Sequence, residues 1–521
     1  MNALNKTEKH GRSLDKADTN SEAQIAPGWL ANISAQALPF IAFITVTPLL
    51  TSIYGPAGYG ALSVLSILPV LAPQLDLGLF TTGTLVLARQ SGIGCYSMAR
   101  RSFNRLILAG LGIGAVLAVF FWLVRAPIFS LLNLTEVFGE RTNQISFAIC
   151  IWILASFLST GAQTGLRARE RFRLLAVFQG VSGSAFWILA ACFSLFRPDI
   201  AYTVYAVGLA TTIISIITFI LVHHDLRKPD SGSAGDQKWP AKFALGIFGA
   251  QISTQATYQI DRLLVSAFLS PAAAGAYGIC VNIANKIMMV VAAVGAYTLP
   301  RAARLQAQGQ HEALGTVYAA GSRVALITAV FVAAPLIALA EPVLRAWMGE
   351  NFAREYAGVL QLLVIAYAIN STSIIASNVA SGMLNARLNI IFATLGGALT
   401  VGFCSILTPN LGSVGAALAA IVGMSQALVF NYLIAKRVQP PSGIIDARFC
   451  LTLAITAAAI NTPLLMLGQK IHQIETAAVA LLVGGLTQPV LWFAFRFAGP
   501  LEQQMASGLV PWLRRRLERH T

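Results

Sequence analysis

The sequence predicts an all-α polytopic membrane protein of about fourteen transmembrane helices, built as two pseudo-symmetric six-helix lobes followed by two C-terminal helices. Three observations carry this: the composition, a series of apolar segments of bilayer length, and the placement of positive charge. Of 521 residues, 56% are hydrophobic and 11% charged, where soluble domains carry about 25% charged residues. At ~150 residues per domain the length would suit three or four soluble domains. A mean hydropathy of +0.68 excludes that, because so much apolar surface cannot be hidden in small water-soluble cores. With 43 Gly and 21 Pro, collagen-like and disordered compositions are excluded as well.

A spanning helix needs ~20 mostly apolar residues. The segments that meet this in the first half are Ala31–Tyr54, Gly60–Ala88, Leu106–Val124, Ile145–Leu166, Leu174–Phe196 and Ala201–Val222. Phe243–Leu269, Ala272–Leu299, Val324–Leu344, Ala357–Met383, Leu388–Leu407 and Ser413–Ala435 follow, then Phe449–Leu467 and Thr476–Phe497. With the N-terminus cytoplasmic, 28 of the 36 Lys and Arg fall in cytoplasmic segments and 6 on the opposite side. Lys and Arg in short loops stay on the cytoplasmic side, so this asymmetry supports the count and puts both termini inside. The net charge of +15 is then topology, and no nucleic-acid partner is expected. The six cysteines are scattered without paired spacing, so neither a disulfide framework nor a metal site is expected.

The organisation expected is a cytoplasmic tail (1–30), an N-lobe of six helices (31–226), a linker (227–242), a C-lobe of six helices (243–437), helices 13 and 14 (438–498) and a basic tail (499–521). The polar stretch His223–Lys242 marks the linker. Two stations repeat at an offset of 218 residues: Gly58-Tyr59-Gly60 answers to Ala276-Tyr277-Gly278, and Leu166–Arg169 to Leu384–Arg387. Parallel repeats of this kind are a common transporter plan with the ligand between the halves. Met505–His520 mixes Leu, Val and Trp with four arginines; it reads either as an interfacial amphipathic helix or as a solvated basic tail.

Three pieces, Thr47–Phe80 (TPLLTSIYGPAGYGALSVLSILPVLAPQLDLGLF), Gln259–Ile279 (QIDRLLVSAFLSPAAAGAYGI) and Leu411–Gly423 (LGSVGAALAAIVG), resemble the O-antigen and exopolysaccharide flippases (Wzx-like) of the multidrug/oligosaccharidyl-lipid/polysaccharide (MOP) exporter superfamily. The resemblance implies two six-helix lobes around a central cavity, alternating access, and a lipid-linked sugar as cargo. It implies a bacterial inner-membrane location, membrane lipids and a polysaccharide polymerase or co-polymerase as partners, and no cofactor. The last two helices depart from the simplest twelve-helix members.

Four ionisable side chains lie well inside spans: Asp76, Asp261, Arg262 and Lys286. Each costs ~2.5–3.5 kcal/mol at the bilayer centre, so each is expected to face the interior and to work or to be paired. Lys286 lies roughly 17 Å into its helix at 1.5 Å per residue, with Asn282 one turn before it. It reads as a cavity cation or as half of a structural salt bridge. Gln251, Gln255, Tyr258 and Arg262 follow at steps of four, three and four, one continuous polar stripe. Arg262 comes late in its helix and could instead reach the far interface or pair with Asp261. Asp76 could exchange protons or cap a helix broken by Pro69 and Pro73. Asp76 and Asp261 are the candidates for ion or proton coupling. Asn370, Ser373, Ser377 and Ser381 make a further stripe, although serine also serves as packing glue between membrane helices.

A polyprenyl-diphosphate sugar fits this set, because a cationic, amide-lined cavity would hold the diphosphate by charge-assisted hydrogen bonds. The expected activity is a flippase moving undecaprenyl-diphosphate oligosaccharide from the cytoplasmic to the periplasmic leaflet. A drug–cation antiporter of the same fold and a flippase of a peptidoglycan lipid precursor are alternatives. A membrane polymerase or ligase is more remote: the six histidines lie in loops or tails, no exported loop offers a catalytic domain, and no Walker-type glycine loop appears.

Overall fold

The computed structural model describes residues 4–227, 229–230, 248–249, 251, 255, 258–296, 298–383, 386–440, 447–468 and 480, with side chains for nearly all of these from residue 37 onward. Every regular element among the described residues is helical. In hydrocarbon no water is available to satisfy backbone polar groups, and a helix satisfies them within itself. The helices are α1 (Leu4–Leu71), α2 (Leu79–Gly92), α3 (Tyr96–Leu131), the short α4 (Thr135–Phe138), α5 (Thr142–Ala168), α6 (Phe172–Phe196) and α7 (Ile200–Asp225). There follow α8 (Ile260–Phe268), α9 (Pro271–Ala284), α10 (Lys286–Gly295), α11 (Thr298–Ala307), α12 (His311–Ala338) and α13 (Ala340–Met348). The last are α14 (Glu350–Ser371), α15 (Ser373–Gly382), α16 (Ala386–Met424), α17 (Gln426–Val438) and α18 (Ala447–Gly468). Nine stretches among the described residues are long and apolar enough to cross a membrane.

Most of the expected spans have a helical counterpart, with differences that have local causes. The boundary between the first two is Gly55, whose φ of 70° and ψ of 172° leave helical space inside α1. Glycine reaches positive φ without a Cβ penalty, and Pro56 can open a new helical stretch because its missing N–H would be unpaired there anyway. The expected span Gly60–Ala88 is two helices rather than one. α1 stops at Leu71, Ala72–Leu75 tighten into a 3-10 turn around Pro73, and Leu77 and Gly78 take positive φ. Gly412, with φ 61° and ψ −146°, separates the spans expected at Leu388–Leu407 and Ser413–Ala435 inside α16. α3 overruns its apolar stretch at both ends, because hydropathy marks the part in hydrocarbon and good helix formers such as Arg extend it. At the start of α3 the Asp230 carboxylate accepts from the Ser97 hydroxyl and from the Ser97 N–H (2.8 Å). These bonds hold the Asp230 carboxyl below the usual carboxylate range.

The span Thr476–Phe497 apart from residue 480, the tail Met505–His520, residues 231–242 of the linker, residues 243–247 of the seventh span, and Leu384 and Asn385 of the repeat lie outside the described residues.

The chain divides into two compact units. The first comprises Met1–Gly55, Leu65–Phe129 and Phe138–Phe248; the second comprises Pro56–Val64, Ser130–Val137 and Gly249–Thr521. In the first unit small residues admit large rings. A Cβ on Gly110 would stand 2.7 Å from the Phe80 ring, one on Gly114 2.9 Å from Phe157, and one on Gly161 2.7 Å from Ile107. Membrane helices approach by such packing, since lipid tails are as apolar as the side chains themselves.

In the second unit two borrowed segments hold the elements that carry the polar stripe. Gly60 lies against the start of α9: a Cβ there would overlap the Pro271 carbonyl, and a Cβ on Gly275 would stand 2.5 Å from the Gly60 Cα. Asn133 donates to the carbonyls of Ser266 (2.9 Å) and Ala267 (3.2 Å), and the Ser266 hydroxyl donates to the Leu132 carbonyl (2.7 Å). The last carbonyls of a helix lack partners inside it, so these bonds complete the end of α8. α9 begins with Ser270 as N-cap, its hydroxyl accepting from Ala273 N–H at 3.1 Å, and Pro271 in the first turn.

Candidate functional site

All seven residues expected to line a cavity, Lys286, Arg262, Asn282, Gln251, Gln255, Tyr258 and Asn370, belong to the second unit, as does Asp261; Asp76 belongs to the first. Arg262 sits in the first turn of α8, and its Nη2 donates to the Asn282 Oδ1 on α9 at 3.2 Å. Its stem passes Gly278, where a Cβ would stand 3.7 Å from the Arg262 Cδ. The Arg262 Nε is buried without a hydrogen-bond partner. A guanidinium has five N–H donors, and the bond to Asn282 takes one of them. Lys286 is half-buried as the first residue of α10, one turn beyond Asn282 across a break at Asn285. Arg262, Asn282 and Lys286 therefore form one run of polar groups on α8, α9 and α10.

Asp261 does not share that run. It is 1% exposed; its Oδ1 accepts from the Arg262 N–H (2.8 Å) and its Oδ2 from the Tyr277 hydroxyl (3.0 Å). The Arg262 guanidinium turns to Asn282 instead, and Asp261 fastens α8 to α9. Removing the hydroxyl by Tyr277→Phe leaves a buried carboxylate oxygen short of a donor, an expected loss of about 1–3 kcal/mol. A lowered thermal midpoint in detergent is the outcome to look for.

Asp76 is likewise 1% exposed. Its Oδ1 accepts from Gly78 N–H (2.9 Å) and its Oδ2 from Phe80 N–H (2.7 Å), so both oxygens close the turn that opens α2. Asn370 is 2% exposed, and its carboxamide donates to the Tyr258 hydroxyl (2.6 Å) and towards the Met288 sulfur (3.5 Å). The Tyr258 ring stacks at 6.4 Å on Tyr367. These two residues bind α14 to the stretch before α8. Gln251 and Gln255 are half-buried in that same stretch, whose intervening residues lie outside the described set. The serines of the further stripe lie on α15, where Ser373 donates to the Asn370 carbonyl (2.7 Å) and Ser381 accepts from Asn389 (2.9 Å).

The sequence reading passed over a polar ladder in the first unit. Gln179 on α6 donates through Nε2 to the Gln163 Oε1 on α5 (3.2 Å), and Gln163 donates through its own Nε2 to the Ser159 hydroxyl (3.1 Å). The spacing of Ser156, Ser159 and Gln163 at three and four residues was the available signal. None of these groups is charged, and a search for ionisable residues does not find them.

The fold is shared with several solved helical membrane proteins. The solved structures it resembles include the lipid II flippase MurJ in an inward closed conformation, with a TM-score of 0.69 at 13% identity, covering 91% of this chain and 100% of that one. An inward-facing multidrug resistance MATE family transporter of the MOP superfamily matches with a TM-score of 0.62 at 14% identity, covering 78% of this chain and 98% of that one. The Vibrio cholerae MATE transporter VcmN in its bent form matches with a TM-score of 0.55 at 16% identity, covering 80% of this chain and 98% of that one. No protein-family model and no curated protein matches the sequence.

Proposed function

We infer that the chain is a bacterial inner-membrane flippase. It moves polyprenyl-diphosphate-linked oligosaccharide from the cytoplasmic to the periplasmic leaflet by alternating access, for O-antigen or exopolysaccharide assembly. The observation that carries the reading is the guanidinium of Arg262, which Asn282 holds through one of its five N–H donors, in the same run as Lys286. A cation inside a membrane helix bundle is expensive unless it meets an anion, and a diphosphate supplies charge-assisted hydrogen bonds to it. An inside-negative potential then favours outward movement of the anionic head by ~2.3 kcal/mol per charge per 100 mV. A drug–cation antiporter would call for open carboxylates, whereas Asp76 and Asp261 are enclosed and hydrogen-bonded. A peptidoglycan lipid precursor, which carries the same diphosphate, is the second reading, favoured by the 91% coverage of this chain in the likeness to the lipid II flippase.

Purified protein in proteoliposomes tests the reading. Polyprenyl-diphosphate oligosaccharide loaded in one leaflet is expected to become accessible to a membrane-impermeant lectin on the other side at a protein-dependent rate. Lipid II offered in competition separates the two cargoes. Transport of cationic drugs against an ion gradient, with no movement of either lipid, would overturn the assignment.

A further inference from the structure

We propose that the amide ladder of the first unit, Ser159–Gln163–Gln179, with the aromatic plate beyond it, is a subsite for the uncharged sugar residues of the cargo, separate from the cationic groups that would take the diphosphate. The inference rests on the flippase reading and adds which part of the cargo this unit recognises and by what chemistry.

Orientation is the first argument. On α6 the exposed aliphatic residues Val177, Val181, Ile188 and Leu195 form one face, and at 3.6 residues per turn Gln179 stands roughly 160–180° away from it, on a line with Phe172, Phe186 and Phe193, of which Phe172 and Phe193 are exposed. On α5 Gln163 stands roughly 160° from exposed Phe147. Both carboxamides are half-buried, and Gln179 sits within an aromatic line of α6 whose outer members, Phe172 and Phe193, are exposed. A half-buried amide in such a line can be reached by a ligand lying along it.

Hydrogen-bond capacity is the second. Each glutamine spends one amide hydrogen in the ladder, and Gln163 Oε1 accepts from Gln179. One N–H on each side chain and the Gln179 Oε1 are left over. Donors and acceptors are presented alternately and without charge, which matches the hydroxyls of a neutral sugar better than a phosphate, whose oxygens can use only the donors.

The third argument is what lies beyond. Phe186 is two turns from Gln179 on nearly the same line of α6, about 10 Å along the axis. It stacks on Trp152 at 5.8 Å and meets Trp187 edge-on at 4.7 Å, while Phe43 supports Trp187 at 5.0 Å. Trp152 and Phe43 are buried, whereas Phe186 and Trp187 are half-buried. A partly open ring pair on a rigid aromatic base suits the C–H face of a pyranose, and polar groups at one end of an aromatic wall fix its orientation.

The test compares two lipids in proteoliposomes: polyprenyl diphosphate carrying an oligosaccharide, and polyprenyl diphosphate alone. Gln163→Leu/Gln179→Leu is expected to slow glycan-lipid transport at least tenfold, leave the bare carrier within twofold, and leave the thermal midpoint unchanged. Gln163→Asn/Gln179→Asn, which keeps the amides on shorter stems, is expected to recover part of the glycan rate. Equal slowing of both lipids, or glycan transport within twofold of the parent, would overturn the subsite. If the parent protein moves the glycan lipid, either of those results counts against the subsite alone; if it moves neither lipid, the flippase reading falls and the subsite with it.

Discussion

Gly60→Val is expected to prevent recovery of folded protein, whereas Gly112→Ala on α3 leaves the yield unchanged. A Cβ at position 60 would overlap the Pro271 carbonyl, and one at the Gly275 position opposite would stand 2.5 Å from the Gly60 Cα. Overpacking usually costs 1–3 kcal/mol because flexible side chains give way. Here the colliding atoms are backbone on both sides, so the helices must separate and the cost should exceed that range. Position 112 has nothing within 4 Å of a built Cβ, which makes it the matched control. The measurement is the monodisperse fraction after detergent extraction, with the thermal midpoint of whatever survives. Full recovery of Gly60→Val would mean that α9 and the Pro56–Val64 segment do not meet as described.

Arg262→Gln is expected to reduce glycan-lipid transport about tenfold to a hundredfold with little loss of folded protein, since a hydrogen bond to a charged group is worth about 1.5–3 kcal/mol. Glutamine can still approach Asn282, so the helix contact is partly kept while the charge is removed. Arg262→Lys should recover little, because an ammonium does not reproduce the planar fork of a guanidinium. Lys286→Ala is expected to abolish export while leaving membrane insertion intact, and the double variant should be no less well folded than either single one. Both are read from initial rates in proteoliposomes normalised to folded protein. Wild-type rates in both single variants would remove the cationic site.

Much of the helix layout was legible because hydropathy reports directly on burial in lipid. The breaks at Gly55 and Gly412 were legible too, since only glycine tolerates those φ values cheaply. Contact between helices leaves a weaker trace. Gly60 and Gly275 are two glycines among 43, and nothing local says that they meet. The roles of the two intramembrane aspartates turned on partners the sequence leaves unnamed: the Tyr277 hydroxyl for Asp261, and backbone N–H groups at 78 and 80 for Asp76. Asn370 looked like part of an open polar wall, but Tyr258 and Met288 engage its amide. The Gln163–Gln179 pair escaped notice because it spans two helices and carries no charge.

The two loans from early in the chain, Pro56–Val64 and Ser130–Val137, bear on how such a protein can be recombined or shortened. Cut at the polar linker and expressed by itself, the C-terminal portion would arrive without Asn133 to finish α8 and without Gly60 to seat α9. Chimeras that exchange only the later portion between proteins of this fold must therefore carry over these short stretches as well, or inherit a misfitted α8 and the arginine on it. The gene's midpoint is not a joint at which the folded object comes apart.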